Sequence, residues 1–285
     1  MGRTIHQLPE TVADRIAAGE VVERPASVVK ELLENAIDAG AETIDVEFEA
    51  GGIDAIEVRD DGRGIPADEL PLAVQRHATS KIESADDLRT VQTLGFRGEA
   101  LASIASVSEL RIVSRTEDSS EGAELTLENG EPTVKPAARA VGTTVRVRNL
   151  FQDVPARRKF LKTERTERKH ILREVRRKAL AHPSVHFRLF ERDEQLLNVP
   201  EGPLEDRVGE TLGQDIGETM FPVEDLDPDF QGKGRFGLSG LLSNGDLTHS
   251  NRRHQFSFVN SRAVRDPVLY RAVSKAYEKM GFSDG

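Results

Sequence analysis

The stretch Pro25-Ala26-Ser27-Val28-Val29-Lys30-Glu31-Leu32-Leu33-Glu34-Asn35-Ala36-Ile37-Asp38-Ala39-Gly40 constrains this chain more than any other. Proline stands where a helix can begin and glycine where one can end, so the run reads as a single closed helix. At about 100° per residue, Val28, Val29, Leu32, Leu33, Ala36 and Ile37 fall on one face. Glu31, Asn35 and Asp38 gather on the opposite one. Such a helix needs a core to lie on, and it carries two carboxylates and an amide in a row. That row suits the activation of water and the holding of a hard cation through oxygen. A solvated face has the same look. Two details count against mere solvation. Asparagine is a mediocre helix former in mid-helix, and Glu34 repels Asp38 at i,i+4.

Upstream, Met1 to Pro9 reads as an arm and Thr11 to Gly19 as a short helix. Downstream, residues Thr43 to Ala50 alternate, with Ile44, Val46, Phe48 and Ala50 on one side and Asp45, Glu47 and Glu49 on the other. This predicts a half-exposed strand, with Gly51-Gly52 as the turn after it. In the following strand Ile56, Val58 and Asp60 share a face. A carboxylate aimed with apolar residues needs a partner, unless the strand end lets it escape to water. Asp61-Gly62-Arg63-Gly64 comes next, a loop in which a planar ligand could lie against backbone.

A helix is expected from Pro66 to about Arg76, followed by Arg76-His77-Ala78-Thr79-Ser80-Lys81. Then Gly95-Phe96-Arg97-Gly98 leads into a helix whose first N–H groups lack intrahelical partners. This is a phosphate site in outline, and the flexible stretches on either side have the character of a lid. Strands are expected at Leu110–Arg115, Ala123–Glu128 and Thr143–Val147, with a hairpin signal at Asn129-Gly130. Gly142-Thr143-Thr144 offers hydroxyls at a strand start, although β-branched residues favour a strand regardless.

Composition narrows the function classes. The absence of cysteine excludes disulfides and cysteine-based metal sites. No apolar run reaches the roughly 18 residues of a membrane helix, and no signal-peptide core is present. The expectation is a cytoplasmic protein without a membrane partner. Arginine well in excess of lysine, together with abundant acid, suits a salt-adapted source. The net charge of −10 opposes a generic nucleic-acid binder. Against it, Pro155-Ala156-Arg157-Arg158-Lys159-Phe160 opens a basic helical region that continues to Lys178. Either internal pairs such as Glu164–Arg168 solvate it, or it faces DNA. A strand closes at Val185, Phe187 and Leu189.

Pro200-Glu201-Gly202-Pro203 predicts a boundary, hence domains at 1–202 and 203–285. The second is expected to hold a helix at Leu204–Leu212, strands at Phe236–Leu242 and Phe256–Val259, and a helix at Pro267–Met280. No terminating strand precedes Gly285, so this domain is expected to be incomplete at its C-terminus.

Taken in order, Glu31-x-x-x-Asn35-x-x-Asp38, Asp60-x-Gly62-x-Gly64, Gly95-Phe96-Arg97-Gly98 and Gly142-Thr143-Thr144 resemble the GHKL ATPase superfamily, to which gyrase B and the histidine kinases belong. The strings Ile16 to Pro25, Arg76 to Lys81, Gly95 to Leu101 and Pro155 to Phe160 resemble its mismatch-repair branch, the MutL family. The resemblance implies an α/β (α+β) fold: a sandwich of mixed sheet and helices, followed by a ribosomal-protein-S5-like domain 2. It implies ATP and Mg²⁺ as cofactors, with Glu31 as general base and Asn35 as the Mg²⁺ ligand. Asp60 would accept the adenine amino group, Gly62 and Gly64 would allow the base close, and Thr143 would support that end. Thr79, Ser80 and Lys81, with Gly95, Phe96, Arg97 and Gly98, would cover the phosphates. Arg157, Arg158, Lys159 and Arg262 would face DNA.

The implied function is mismatch repair. ATP binding and slow hydrolysis would drive homodimerisation of the N-terminal regions and clamping on DNA. The implied partners are a MutS-type mismatch recognition protein and a downstream nuclease or helicase. A nucleotide- and DNA-binding fragment with negligible turnover is the other reading. The chain departs from the family pattern at Gln152-Asp153-Val154, at Asn260-Ser261-Arg262, where Asn-Gly-Arg is usual, and in lacking an Asn-Val-His-Pro-like lysine strand before Gly285.

Overall fold

The computed structural model of the chain describes residues 18–81, 93–95, 98–128, 130–225, 237–244 and 254–279. Helix α1 (Pro25–Asp38) forms as its sequence predicts, with Pro25 in its first turn and no side-chain cap. It buries Val28, Val29, Leu32, Leu33 and Ala36. Gly40, at φ +76°, ends it, and its N–H donates back to the Ile37 carbonyl. Of the helix expected at Thr11 to Gly19, only residues 18 and 19 are described; they are helical, and the helix runs on to residue 21.

Strands β1 (Thr43–Glu49), β2 (Ala55–Asp60), β3 (Glu109–Arg115), β4 (Gly122–Glu128), β5 (Glu131–Ala137), β6 (Gly142–Arg148), β7 (His186–Glu191) and β8 (Glu194–Val199) form one sheet, in the order β5-β4-β3-β6-β2-β1-β7-β8. From β5 to β1 every neighbouring pair is antiparallel. The register places the apolar residues in rows that cross the strands. Val46, Val58, Val145, Ile112 and Leu125 make one row, and Phe48, Ile56, Val147 and Leu110 another. All nine are buried, and α1 packs against β1 and β2. The opposite face is polar and is crossed by ion pairs, among them Arg59 with Glu47 and Glu57, and Arg146 with Glu57.

Two expectations change. The helix expected from Pro66 to Arg76 shrinks to α2 (Leu70–Ala73). Pro71 sits inside the run, where it removes an N–H donor and blocks a longer helix. Strand β5 has no expected bounds beyond the hairpin signal at Asn129-Gly130, and it forms although Pro132 and Pro136 argue against a strand interior. It is the sheet edge, and the two prolines occupy alternate positions of the same parity, as an edge tolerates. Asn129 lies outside the described residues, but Glu128 pairs with Glu131, so the turn there is a two-residue one. Short helices α3 (Ala100–Ala105) and α4 (Pro155–Arg158) precede the long α5 (Glu164–Ala181).

The chain divides into two compact units, one of Met1–Val175 with Phe187–Leu196, the other of Arg176–His186 with Leu197–Gly285. The second contains α6 (Leu204–Leu212), α7 (Gln214–Gly217), an antiparallel pair β9 (Met220–Asp225) and β10 (Leu238–Ser243), a hairpin β11 (Ser257–Val259) and β12 (Arg262–Val264), and α8 (Pro267–Lys279). Its core is Leu180, Val208 and Ile216, with Leu204, Leu212, Met220, Leu241, Phe256 and Phe258 against it. Arg207 is fully buried there and donates to the Ala179 carbonyl from Nε at 3.0 Å and Nη2 at 2.7 Å, and to the Pro200 carbonyl from Nη1.

The β11–β12 turn shows why Asn-Gly is usual at Asn260-Ser261. Both residues have positive φ, 49° and 61°, which is the two-residue hairpin conformation that favours glycine at the second position. The turn keeps its hand, and Ser261 takes a left-handed conformation unfavourable for a side chain. Ser261→Gly should therefore stabilise the second unit by about 1 kcal/mol. Urea unfolding of the two proteins checks this, with an unaltered midpoint as the contrary result.

Candidate functional site

The third row of the sheet breaks the apolar pattern. Ile44, Asp60, Thr143, Ser114 and Ala123 are successive register partners across β1, β2, β6, β3 and β4. Period-two alternation puts three polar side chains on the face that carries the core. Asp60 satisfies one carboxylate oxygen within the protein: its Oδ1 accepts the N–H groups of Gly62 at 3.0 Å and Thr143 at 3.2 Å. Burial pushes the Asp60 carboxyl above the usual carboxylate range, while these two N–H groups and Arg139 pull the other way. Arg139 braces the same strand end, donating to the Asp60 carbonyl at 3.0 Å and to Thr144 Oγ1 at 3.1 Å.

The neighbouring acid does different work. Asp61 Oδ1 accepts the N–H groups of Glu42 at 2.8 Å and Thr43 at 2.9 Å, which fixes the start of β1. The glycines of the loop are required by protein backbone. A Cβ on Gly62 would press on Ala39, and Gly64, at φ +76°, lies so close to the Arg115 carbonyl that any side chain would collide with it. The loop is thus held against the end of α1 and the end of β3.

On α1, Glu31 accepts a hydrogen bond from Lys30 Nζ at 2.6 Å, and Glu34 lies 3.6 Å from the same ammonium. Burial lowers the Lys30 pKa, but Glu31 and Glu34 together more than offset this, so it stands above the ordinary lysine value. One helical turn on, Asn35 Oδ1 accepts from Lys81 Nζ at 3.0 Å. Lys81 also donates to Asp38 Oδ2 at 2.6 Å. Asp38 is deeply buried and accepts two further bonds, from Leu94 N–H at 2.8 Å and Gly95 N–H at 3.1 Å. Its carboxylate thereby ties the stretches around residues 81 and 94 to α1. The like-charge repulsion expected between Glu34 and Asp38 is relieved by separate lysines.

These side chains open on one cavity of about 1810 Å³. Glu31, Asn35, Asp60 and Thr143 line it, as do Gly62, Gly64, Thr79, Ser80, Lys81, Gly95 and Gly98. Phe96 and Arg97 lie outside the described residues. Gly98 sits against Ala78, and its carbonyl accepts the His77 N–H at 3.1 Å. Among the described residues, no three His, Cys, Asp or Glu side chains converge to hold a metal. The donor set nonetheless fits Mg²⁺ brought in with phosphates, because that ion needs few protein oxygens. The Lys81 ammonium on Asn35 Oδ1 shows that this oxygen is placed to accept a cation.

Sequence reasoning missed Ser114 and Arg139. Ser114 carries the signal that flagged Asp60: it follows Leu110 and Ile112 at period two. Arg139 lies in no recognisable pattern. The basic region also divides. Arg157 donates to the Val22 carbonyl and stacks on the Phe151 ring, 4.2 Å from its centre, so it joins parts of the fold. Arg158 and Lys159 are exposed, as is Arg262 on β12. In α5, Arg168 pairs with Glu191 at 2.8 Å rather than with the expected Glu164, and Lys178 is buried.

Comparison with known proteins agrees with this geometry. Residues 23–146 match the family described as histidine kinase-, DNA gyrase B- and HSP90-like ATPase, and residues 208–284 match the DNA mismatch repair protein, C-terminal domain. The DNA mismatch repair protein MutL of Xanthomonas oryzae is 51% identical over 276 residues, 96% of this chain and 43% of the relative. That of Pseudomonas putida is 48% identical over 288 residues, 99% of this chain and 45% of the relative. The chain thus spans less than half the length of these curated relatives. Among solved structures, the Aquifex aeolicus MutL ATPase domain complexed with ADP is 30% identical with a TM-score of 0.66, covering 90% of this chain and 88% of that one. The N-terminal domain of a DNA repair protein gives a TM-score of 0.77 at 25% identity, covering 94% and 82%. The polar row in the sheet, the acid–amide helix beside it and these likenesses together place the chain in the MutL family of DNA mismatch repair proteins, with that family's GHKL ATPase fold.

Proposed function

We propose that the chain binds ATP with Mg²⁺ in this cavity and hydrolyses it slowly, as the ATPase region (residues 1–202, with 203–285 as the S5-like domain) of a cytoplasmic mismatch repair protein. One observation carries the reading: Asp60, Glu31 and Asn35 line a single cavity. The free oxygen of Asp60 accepts from the adenine amino group. Glu31 takes the proton of the water that attacks the γ-phosphate. Asn35 holds Mg²⁺ in place of the Lys81 ammonium, and the bound ion neutralises phosphate charge. Thr79, Ser80, Lys81, Gly95 and Gly98 lie over the phosphates. Calorimetric titration with Mg-ATP, followed by phosphate release under steady state, tests this. No saturable binding would refute it.

Nucleotide-driven pairing of two copies, clamping on DNA, and contacts with a MutS-type protein and a downstream nuclease or helicase complete the proposal. It draws on the names of the relatives and on the exposed cations Arg158, Lys159 and Arg262. Arg158→Glu with Lys159→Glu should weaken duplex binding at low salt and reduce the salt slope by about two. The double variant spares Arg157, whose structural ties would confuse the result. Unaltered low-salt binding would make this surface merely solvated.

A further inference from the structure

The hydroxyl protons behind Asp60 can be assigned by counting. Ser114 is buried, 1% exposed, and its Oγ has three neighbours. The Ile65 N–H lies at 2.8 Å, the Gly142 carbonyl at 3.0 Å and Thr143 Oγ1 at 2.9 Å. An amide N–H has nothing to accept with, so Ser114 accepts from Ile65. A carbonyl has no proton to give, so Ser114 donates to Gly142. A serine has one proton and two lone pairs. The contact with Thr143 therefore uses the second lone pair, and the proton in it belongs to Thr143. With that proton directed into the sheet, the Thr143 oxygen can only accept from the cavity it lines.

We propose that Ser114 is a specificity-determining positioning residue, which fixes the Thr143 hydroxyl as an acceptor so that Thr143 and Asp60 together favour a base bearing an exocyclic amino group over one bearing a carbonyl there. The inference rests on the nucleotide reading above. Asp60 has one oxygen committed to the Gly62 and Thr143 N–H groups and presents the other. Two acceptors side by side suit the adenine 6-amino group. A 6-oxo base brings a third acceptor into the place of the amino group, and the single proton on its N1 cannot serve both Asp60 and Thr143. Register adds to the precision, since Asp60, Thr143 and Ser114 are direct partners on three adjacent strands.

The test is calorimetric titration of the chain and of Ser114→Ala with Mg-ADP and Mg-IDP, which differ in the amino and oxo groups at position 6. The parent should bind ADP more tightly than IDP. If it binds neither, the nucleotide reading has failed, a result distinct from failure of this one. In Ser114→Ala the Thr143 proton is released and can turn to an oxo group. The ADP-to-IDP affinity ratio should then fall about five- to tenfold. A merely structural serine would lower both affinities together and leave the ratio alone, which overturns the proposal, as does a parent with no preference. Ser114→Ala also orphans the Ile65 N–H. If it does not unfold cooperatively, Thr143→Val decides, because it leaves the Ser114 bonds to Ile65 and Gly142 in place. That variant must lower the ratio by a similar factor, and an unchanged ratio overturns the proposal.

Discussion

Asp60→Asn should lose about 10²–10³-fold in ADP affinity while folding at least as stably as the parent. The amide cannot simply replace the carboxylate. The N–H groups of Gly62 and Thr143 both point at Oδ1, so an asparagine must put its oxygen there. Its NH₂ group then occupies the position of the free carboxylate oxygen. Two donors meet where the adenine amino group needs an acceptor, and a charge-assisted bond is replaced by a repulsion. Stability moves the other way. Burial raises the Asp60 pKa above its unfolded value, so the folded state holds its proton more tightly than the unfolded one. Such a group costs stability at a pH above both values; the cost fades as pH falls through the raised folded value and is gone below the unfolded one, about 3.9. At pH 7 the asparagine variant avoids that cost and keeps both backbone bonds. Calorimetry and urea unfolding at pH 7 read the two effects. Equal ADP affinity in variant and parent would make Asp60 a structural residue only.

Glu31→Gln should retain ATP binding within a few-fold and lose about 10²–10⁴ in hydrolysis rate. The substitution preserves shape, and glutamine can still accept from Lys30, now at 2.6 Å from the carboxylate. What disappears is the basic oxygen that takes a proton from water. Asn35, one turn away, keeps its oxygen for a cation. Binding and turnover therefore separate, and single-turnover phosphate release beside a titration shows it. Unaltered release would remove Glu31 from the reaction. Loss of binding as well as turnover would mean that Glu31 and Lys30 chiefly hold the helix and cavity wall in shape.

Where the chain announced its structure, it did so through periodicity. The α1 face, the alternation of β1 and the placement of Asp60 among apolar residues were all legible, because side-chain direction follows spacing. The division of labour around these residues was not. Asp38 shares the polar face of α1 with Glu31, yet it anchors Lys81, Leu94 and Gly95. Those partners lie more than forty residues away, and no local pattern links them. Arg157 stood within a basic string but joins Phe151 and Val22. Charge runs do not show which members turn inward. Strand β5 was hidden by its own prolines, since only the assembled order β5-β4-β3 reveals that it is an edge.

The row Asp60–Thr143–Ser114 has a consequence for quality control of the folded chain. All three residues are register partners, so a slip of β6 by one residue against β2 would turn Thr143 to the wet face together with Val145 and Val147. Such a slip would remove the recognition row and the apolar rows together, because the same alignment sets both. If the cavity binds nucleotide as proposed, the ligand would stabilise only chains whose strands are correctly aligned, by mass action. Misaligned chains would be blind to it. Retention on an immobilised adenine nucleotide would then act as a sieve for strand alignment, sorting a refolded population by topology before any measurement of activity.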